Sequence, residues 1–313
     1  MASRSLLDVI GNTPLVELNN MSPKEGIRIF AKLEGQNPTG SLKDRIAKNM
    51  IEKAEREGRL GPGITILEPT SGNTGISLAF VAGVKGDKVK VVMPDNVSPE
   101  RTQLLEAYGA ETVYSEGRKG TNGSIEVAKE MMEQDGGEKY FMPYQYGNDA
   151  NPGAHYKTTG AEILRDLPEI DVFVAGLGTG GTLMGVGRRL KEHRQDIKIV
   201  AVAPEPDDTI QGLRSLEEGF IPPILDLAML DSRIMAKGSD AFRGTLELLR
   251  QEGIFAGISS GSVIWGAMKT AERMDKGNIV CFLADGGWKY LSTGLWTKDP
   301  EEMEKEARGK IWW

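Results

Sequence analysis

Apolar positions in this 313-residue chain fall into short β-branched runs, separated by stretches in which they recur every three or four residues. The runs are ITILEP (64–69), KVKVVMPD (88–95), ETVYSE (111–116), DVFVAG (171–176), KIVAVAPE (198–205) and NIVCFLAD (278–285). Strand-like runs alternating with helical spacing predict a parallel α/β architecture. The stretch 117–158 is richer in Gly, Asn and polar residues, with a helical segment around 124–134, and predicts a crossing between two domains near residue 147. Nothing repeats at a solenoid period, and the acidic PEEMEKEARGK near the end reads as a solvated helix face.

Three times an apolar strand runs into a Gly/Ser/Thr loop and then a helix: ILEPTSGNTGISLAF (66–80), VFVAGLGTGGTLMGVG (172–187) and IFAGISSGSVIWGAM (254–268). Each junction offers free backbone N–H groups at a helix start, where an anion or a polar ring atom is held well. One such turn is ordinary structural chemistry. Three in one chain point to a ligand with several polar contacts, at least one of them anionic.

A lysine stands at a fourth boundary. NPTGSLKDR (37–45) passes from turn chemistry into a helix, and Ser41 with Asp44 three residues on has the form of a capping box. Lys43 therefore belongs in the first helical turn, on a face shared with Ala47, Met50 and Ala54. The helix dipole and partial desolvation both disfavour an ammonium there and lower its pKa, which makes a lysine a nucleophile or base. The plainer alternative is a side chain that snorkels into water.

Composition narrows the ligand. The 38 basic and 45 acidic residues give a formal net charge of −7 with no basic block, which argues against a nucleic-acid surface and for a small ligand. The single cysteine, Cys281, excludes an internal disulfide and reads as a buried small hydrophobe. With two histidines, His155 and His193, little remains for a metal site. The chain shows no leader-like start and no apolar run long enough for a membrane span, so a cytoplasmic protein is expected.

Two familiar spacings compete for the loops. Gly176, Gly178 and Gly181 satisfy G-x-G-x-x-G, with Glu205 ending the next strand, which keeps a nicotinamide-dependent oxidoreductase open. Gly257, Ser259 and Gly261 match the G-x-S-x-G of a nucleophile elbow, but both histidines lie upstream and the triad order cannot be met. A lysine at a helix start, one phosphate-sized glycine loop and two further polar loops are what pyridoxal phosphate requires. A non-catalytic binding protein on the same scaffold is the third class.

At this point a resemblance becomes specific. PTGSLKDR (38–45), EPTSGNTG (68–75), GLGTGGT (176–182) and AGISSG (256–261), in this order, resemble the fold-type II pyridoxal-phosphate enzymes of the cysteine synthase family, and the likeness runs from GNTPL (11–15) to YLSTG (290–294). GLRSLEEGFIP (212–222) and DGGWKYLSTG (285–294) are most similar to the cysteine synthase B branch, which includes O-phosphoserine sulfhydrylases. Cystathionine β-synthase and threonine dehydratase share the fold.

The resemblance implies a tryptophan synthase β-like fold of two three-layer α/β/α domains with the active site in the cleft. Residues 43–147 would form the smaller mobile domain, and 1–42 with 148–313 the larger one, the N-terminal strands being partly shared. It implies that Lys43 carries the cofactor as a Schiff base and serves as the base at Cα. Asn73 would bond the ring hydroxyl, Gly178, Thr179, Gly180, Gly181 and Thr182 would hold the phosphate, and Ser259 would face the ring nitrogen. Thr70, Ser71, Gly72, Thr74 and Gln145 would bind the substrate carboxylate. Arg214 would read the leaving group, unless Glu217 or Glu218 pairs with it at the surface. The implied reaction converts O-phosphoserine or O-acetylserine, through α-aminoacrylate, to L-cysteine, with sulfide, thiosulfate or the thiocarboxylate of a carrier protein as sulfur donor. A homodimer is implied as well, and a C-terminal GKIWW that covers the cleft.

Overall fold

A computed structural model describes residues 3–297 apart from Ser71 and Asp207, so the PEEMEKEARGK segment and GKIWW lie outside the described residues. The strands are β1 (Leu15–Glu17), β2 (Ile27–Leu33), β3 (Thr65–Pro69), β4 (Lys88–Pro94), β5 (Glu111–Ser115), β6 (Tyr140–Phe141), β7 (Val172–Gly176), β8 (Lys198–Pro204), β9 (Ser232–Ala236) and β10 (Gly277–Leu283). They form a six-stranded sheet in the order β1-β2-β10-β7-β8-β9 and a four-stranded sheet in the order β5-β4-β3-β6. All pairings are parallel except β1 with β2. All six strands expected from the β-branched runs form within two residues of their expected bounds.

The helices are α1 (Lys43–Arg56), α2 (Asn73–Lys85), α3 (Pro99–Ala107), α4 (Gly120–Asp135), α5 (Ala150–Lys157), α6 (Thr159–Asp166), α7 (Gly181–His193), α8 (Gly238–Glu252) and α9 (Ile258–Ala271). Each sheet is covered on both faces. On the larger one, α8 and α9 bury Phe242, Leu248, Val263 and Ile264 against Val174, Val202 and Ile279. The opposite face packs Leu183, Val186 and Leu190 of α7 and Ile163 of α6 against Phe173, Ala201 and Phe282. On the smaller sheet, Ile46 and Met50 of α1 and Ile76 and Phe80 of α2 cover Ile66, Val91 and Met93, while Ala128 of α4 covers Leu67 and Val92. Burial on both faces explains why these strands read as near-continuous apolar runs instead of alternating ones.

Two local expectations need correction. Ser41 and Asp44 do not form a capping box: the Asp44 carboxylate accepts from the Thr39 backbone N–H at 2.8 Å and from the Thr39 hydroxyl at 2.5 Å, while the Ser41 hydroxyl accepts a 3.3 Å bond from the Lys43 N–H. Asp44 thus folds the Pro38–Gly40 turn back on the helix start. The strand IRIFAKL (27–33), absent from the six runs, lies between β1 and β10 in the larger sheet.

Candidate active site

β10 places the lysine. The Leu42 N–H donates to the Ala284 carbonyl at 2.9 Å, and Ser41 bridges Asp285, so the first turn of α1 is stitched to the end of β10. From there Lys43 lines two adjoining spaces. One is a cleft of 330 Å³ shared with Thr70, Gly72, Asn73, Thr74, Gln145 and Arg214. The other is a narrower cavity shared with Asn73, Gly178, Thr179, Gly180, Thr182 and Ser259. Burial pushes the Lys43 amine down to about 8, against the opposing pull of the Asp285 and Glu68 carboxylates. The expected lowering is present, with desolvation as its main cause.

The glycine loop after β7 is built for close approach. Gly180 has φ +85° and caps α7 without any side-chain bond, leaving backbone N–H groups at the start of a 13-residue helix. A Cβ on Gly181 would sit 1.9 Å from Asn151 Oδ1, and one on Gly178 would sit 2.9 Å from the Gly212 carbonyl. Asn151 in turn donates to the Thr179 hydroxyl at 3.0 Å and to the Gln145 carbonyl at 2.9 Å, and the buried His155 ring lies 3.3 Å from the Thr182 hydroxyl. His155 is thus a packing residue beneath the loop, and burial holds its imidazole well below its ordinary pKa. The fit to a pyridoxal phosphate is good: an amine of lowered pKa, a helix N-terminus with two hydroxyls for a phosphate, and the buried Ser259 hydroxyl for a ring atom share one cavity.

Asn73 opens α2 and reaches across the cleft. Its Nδ2 donates to Asp285 Oδ2 at 2.7 Å, and its Oδ1 accepts from Lys289 Nζ at 2.8 Å. Tyr290 also donates to Asp285 Oδ2, at 2.6 Å, while Asp285 Oδ1 is buried without a partner. Lys289 fixes which end of the Asn73 amide can donate. Thr74 donates to Gln145 Oε1 at 2.8 Å, which joins the first turn of α2 to the loop after β6. Ser71 lies outside the described residues.

Glu68, which sequence reasoning passed over, fixes that second loop. Its buried carboxylate accepts from the Tyr144 and Gln145 N–H groups at 2.7 and 3.0 Å. Burial pushes this carboxyl up to about 7, although the two N–H donors and Lys43 oppose the shift. The raised value means that folding favours the neutral acid, so this stability is full below about pH 4.5 and is lost as pH rises through about 7. The difference in stability between wild type and Glu68→Gln should shrink by roughly 3 kcal/mol between pH 4 and pH 8, read by thermal melting of the cofactor-free protein. A difference that does not change with pH would show that Glu68 keeps one protonation state throughout.

Arg214 lines the cleft. It donates to Asn122 Oδ1 at 3.1 Å and stacks 4.8 Å from the Phe220 ring centroid and 5.5 Å from that of Tyr146. Glu217 turns instead to Arg233, at 2.9 Å, and to the Ser215 hydroxyl; the Glu218 side chain lies outside the described residues. Five basic residues line the cleft, Lys43, Arg101, Arg118, Lys119 and Arg214, and among the described residues no Asp or Glu does. In a chain of net charge −7 that is a local inversion of sign, and it focuses anionic ligands.

Comparison with known proteins decides between the cofactors the sequence left open. A family profile described as pyridoxal-phosphate dependent enzyme matches residues 6–285. The chain belongs to that family. Its relatives place it in the cysteine synthase group: the cysteine synthase of Staphylococcus aureus is 46% identical over 305 residues, covering 94% of this chain and 97% of that one. A cysteine synthase structure from Entamoeba histolytica superposes with a TM-score of 0.89 at 37% identity, over 99% of this chain and 96% of the other. A hydrogen sulfide-producing enzyme from Fusobacterium nucleatum gives 0.88 at 43% identity, over 93% and 100%. The protein is accordingly a pyridoxal-phosphate dependent enzyme with the fold-type II architecture. Among the described residues no group of His, Cys, Asp and Glu could hold a metal, and no helix is long and apolar enough to cross a membrane.

Proposed function

We propose that this protein is a cytoplasmic cysteine synthase that replaces the β-substituent of O-phosphoserine or O-acetylserine with sulfur to give L-cysteine. The observation that carries the reading is the convergence of Lys43, the 176–182 loop and Ser259 on one cavity that opens into a cleft whose charged lining residues, among the described ones, are all basic. Pyridoxal phosphate, when bound, supplies an aldehyde for the amino group and a ring that draws electrons from Cα. Gly178, Thr179, Gly180, Gly181 and Thr182 hold its phosphate, and Asn73, oriented by Lys289 and Asp285, holds its ring hydroxyl. Ser259 offers the ring nitrogen a neutral hydroxyl in place of a carboxylate. That keeps the ring a weak electron sink and favours loss of a β-group over amino transfer.

Lys43 removes the Cα proton and returns it at the end, a task suited to an amine whose pKa lies near 8. Thr70, Ser71, Gly72, Thr74 and Gln145 bind the carboxylate, and residues 43–147 close as the smaller domain to exclude water from the reacting β-carbon. The leaving group departs as phosphate or acetate and a C–S bond forms at the β-carbon: sulfide gives L-cysteine directly, thiosulfate gives S-sulfocysteine that a separate thiol reductant must cleave, and a carrier-bound thiocarboxylate gives a thioester whose hydrolysis releases L-cysteine. The working unit is a homodimer.

The five basic residues lining the cleft support O-phosphoserine as the first choice. A guanidinium matches a phosphate far better than an acetyl ester, and losing such a bond costs about 1.5–3 kcal/mol, or roughly ten- to a hundredfold. In Arg214→Ala, turnover of O-phosphoserine should fall at least about tenfold while O-acetylserine is nearly unaffected. Equal losses on both would assign Arg214 to shaping its loop around Tyr146 and Phe220.

A further inference from the structure

Lys289 is fully buried, and its one hydrogen bond among the described residues runs from Nζ to Asn73 Oδ1, at 2.8 Å. Its backbone is fixed as well. Within the segment Gly287–Thr293, the Lys289 carbonyl accepts from the Ser98 hydroxyl at 3.2 Å, and the Ser292 N–H and hydroxyl donate to the Glu100 carboxylate at 2.7 and 2.9 Å. Burial pushes the amine down to about 8; the Asp285 and Asp44 carboxylates oppose the shift and Arg101 adds to it. The side chain is thus still an ammonium at neutral pH. A buried ammonium costs far more to desolvate than an apolar side chain of the same length, so packing alone does not account for it.

Asn73, the first residue of α2, lines both the cleft and the cofactor cavity together with Lys43. Its amide carries one acceptor oxygen and two N–H donors. Lys289 holds the oxygen, and one N–H goes to Asp285 Oδ2 at 2.7 Å, so an ammonium, an amide and a carboxylate form one chain. The amide cannot be turned over, because an ammonium only donates and a carboxylate only accepts. What it has left for the cavity is its second N–H, made a stronger donor by the cation on its oxygen. Asp285 lines the same cavity, and its Oδ1 is buried without a partner. Alone, that carboxylate would favour a protonated oxygen on any ring beside it, and the charge of Lys289 offsets this.

We propose that Lys289 is a positioning residue for the cofactor, whose ammonium holds and polarises the Asn73 amide so that the remaining N–H stabilises the cofactor's ring oxygen as an oxyanion. This rests on the reading above that Asn73 faces that oxygen. An ionised ring oxygen leaves the proton on the nitrogen held at the neighbouring aldehyde carbon, the form that an incoming amino group attacks.

The test uses the holoenzyme at neutral pH and reads the absorbance of the bound cofactor, comparing the visible band of the form with an ionised ring oxygen with the near-ultraviolet band of the form with a protonated one. Lys289→Met should lower the ratio of the two bands by roughly two- to tenfold. Lys289→Gln keeps a donor for the amide oxygen without the charge, and should fall between wild type and Lys289→Met. Melting temperatures check folding, and Lys289→Gln carries the test if Lys289→Met does not fold. Action through Asn73 requires that Lys289→Met change nothing further in an Asn73→Ala background. A merely structural lysine would alter melting and leave the band ratio where it was, so an unchanged ratio in a folded variant would overturn the proposal. An equal shift with and without Asn73 would overturn it too, by showing that the charge acts directly. If Asn73→Ala alone leaves the ratio unchanged, the assignment of Asn73 to the ring oxygen fails and the proposal fails with it.

Discussion

Lys43→Ala should yield a folded protein that binds pyridoxal phosphate only reversibly and loses at least about a thousandfold in β-replacement, because it removes both the covalent anchor and the proton carrier at Cα. Nothing nearby substitutes for it. Lys289, whose amine burial also pushes down to about 8, is held by Asn73 Oδ1 and lines neither the cleft nor the cavity. Lys119 lines the cleft, but its ammonium pairs with Glu126 at 2.9 Å. The fold should survive, since the rest of the first turn of α1 is fixed by the bond from the Leu42 N–H to the Ala284 carbonyl and by Asp44 on Thr39. Borohydride reduction followed by peptide mapping checks the assignment on the wild type. Cofactor trapped on any lysine other than Lys43 would overturn the site as described.

The same substitution has a pH signature. An amine pushed down by burial prefers to be neutral in the folded state, so its contribution to stability is full above about pH 10.5 and is lost as pH falls through about 8. The cofactor-free wild type should therefore lose stability relative to Lys43→Ala between pH 10.5 and pH 8. The Glu68 window lies wholly below this one, and the two groups can be separated by pH alone.

Much of this arrangement is legible in the sequence, and the parts that are not share a cause. Strands buried on both faces announce themselves as apolar runs, which is why β3, β4, β7, β8 and β10 are readable, whereas the edge strand β5, with Tyr114 exposed, is readable only from its β-branched and aromatic residues. β2 is not readable, because charges interrupt the run: Arg28 is exposed, and Lys32 is wholly buried where tertiary partners, Glu162 and the Thr13 carbonyl, make its burial tolerable. β9 is an edge strand with exposed residues at its start, and β6 has two residues. The loops that face the cofactor are legible because glycine and hydroxyl residues are required by local backbone geometry. Arg101, Glu68, Asp285 and Lys289 are not, since each acts through a contact 70 or more positions away in sequence, and a helix pattern places Arg101 no differently from a solvent-facing arginine. The quoted DGGWKYLSTG did contain two of these residues, Asp285 and Lys289, without showing that both would turn to Asn73.

The largest effect on stability should come from Arg45, two residues beyond the lysine. It is 3% exposed and donates to both oxygens of Glu34 at 2.7 and 2.8 Å, to both oxygens of Glu162 at 2.6 and 2.8 Å, and to the Thr13 hydroxyl at 3.1 Å. Lys32, fully buried, completes the set with a 2.7 Å pair to Glu162 and a bond to the Thr13 carbonyl. Two cations and two carboxylates balance, with all three nitrogens of the arginine fork in use. Burial alone would push the Glu162 carboxyl up; Arg45 and Lys32 outweigh it and bring it down to about 2. Arg45→Ala leaves two buried carboxylates facing a single lysine, and breaking a buried pair from one side costs about 3–5 kcal/mol. For a chain of this size that corresponds to a melting temperature lower by roughly 5–8 °C. Because the network ties α1 to Thr13 of the GNTPL segment, to Glu34 after β2 and to Glu162 of α6, the variant should also loosen the turn that carries Lys43 and weaken cofactor retention. The direction with pH follows from Glu162: its lowered pKa contributes stability above about pH 4.5 that is lost as pH falls through about 2. Wild type and Arg45→Ala should therefore converge on acidification, and Arg45→Ala with Glu162→Gln should melt higher than Arg45→Ala alone at neutral pH. A double variant no more stable than the single one would show that the unpaired charge is not what destabilises the fold, and would move the cost to the cavity left by the missing side chain.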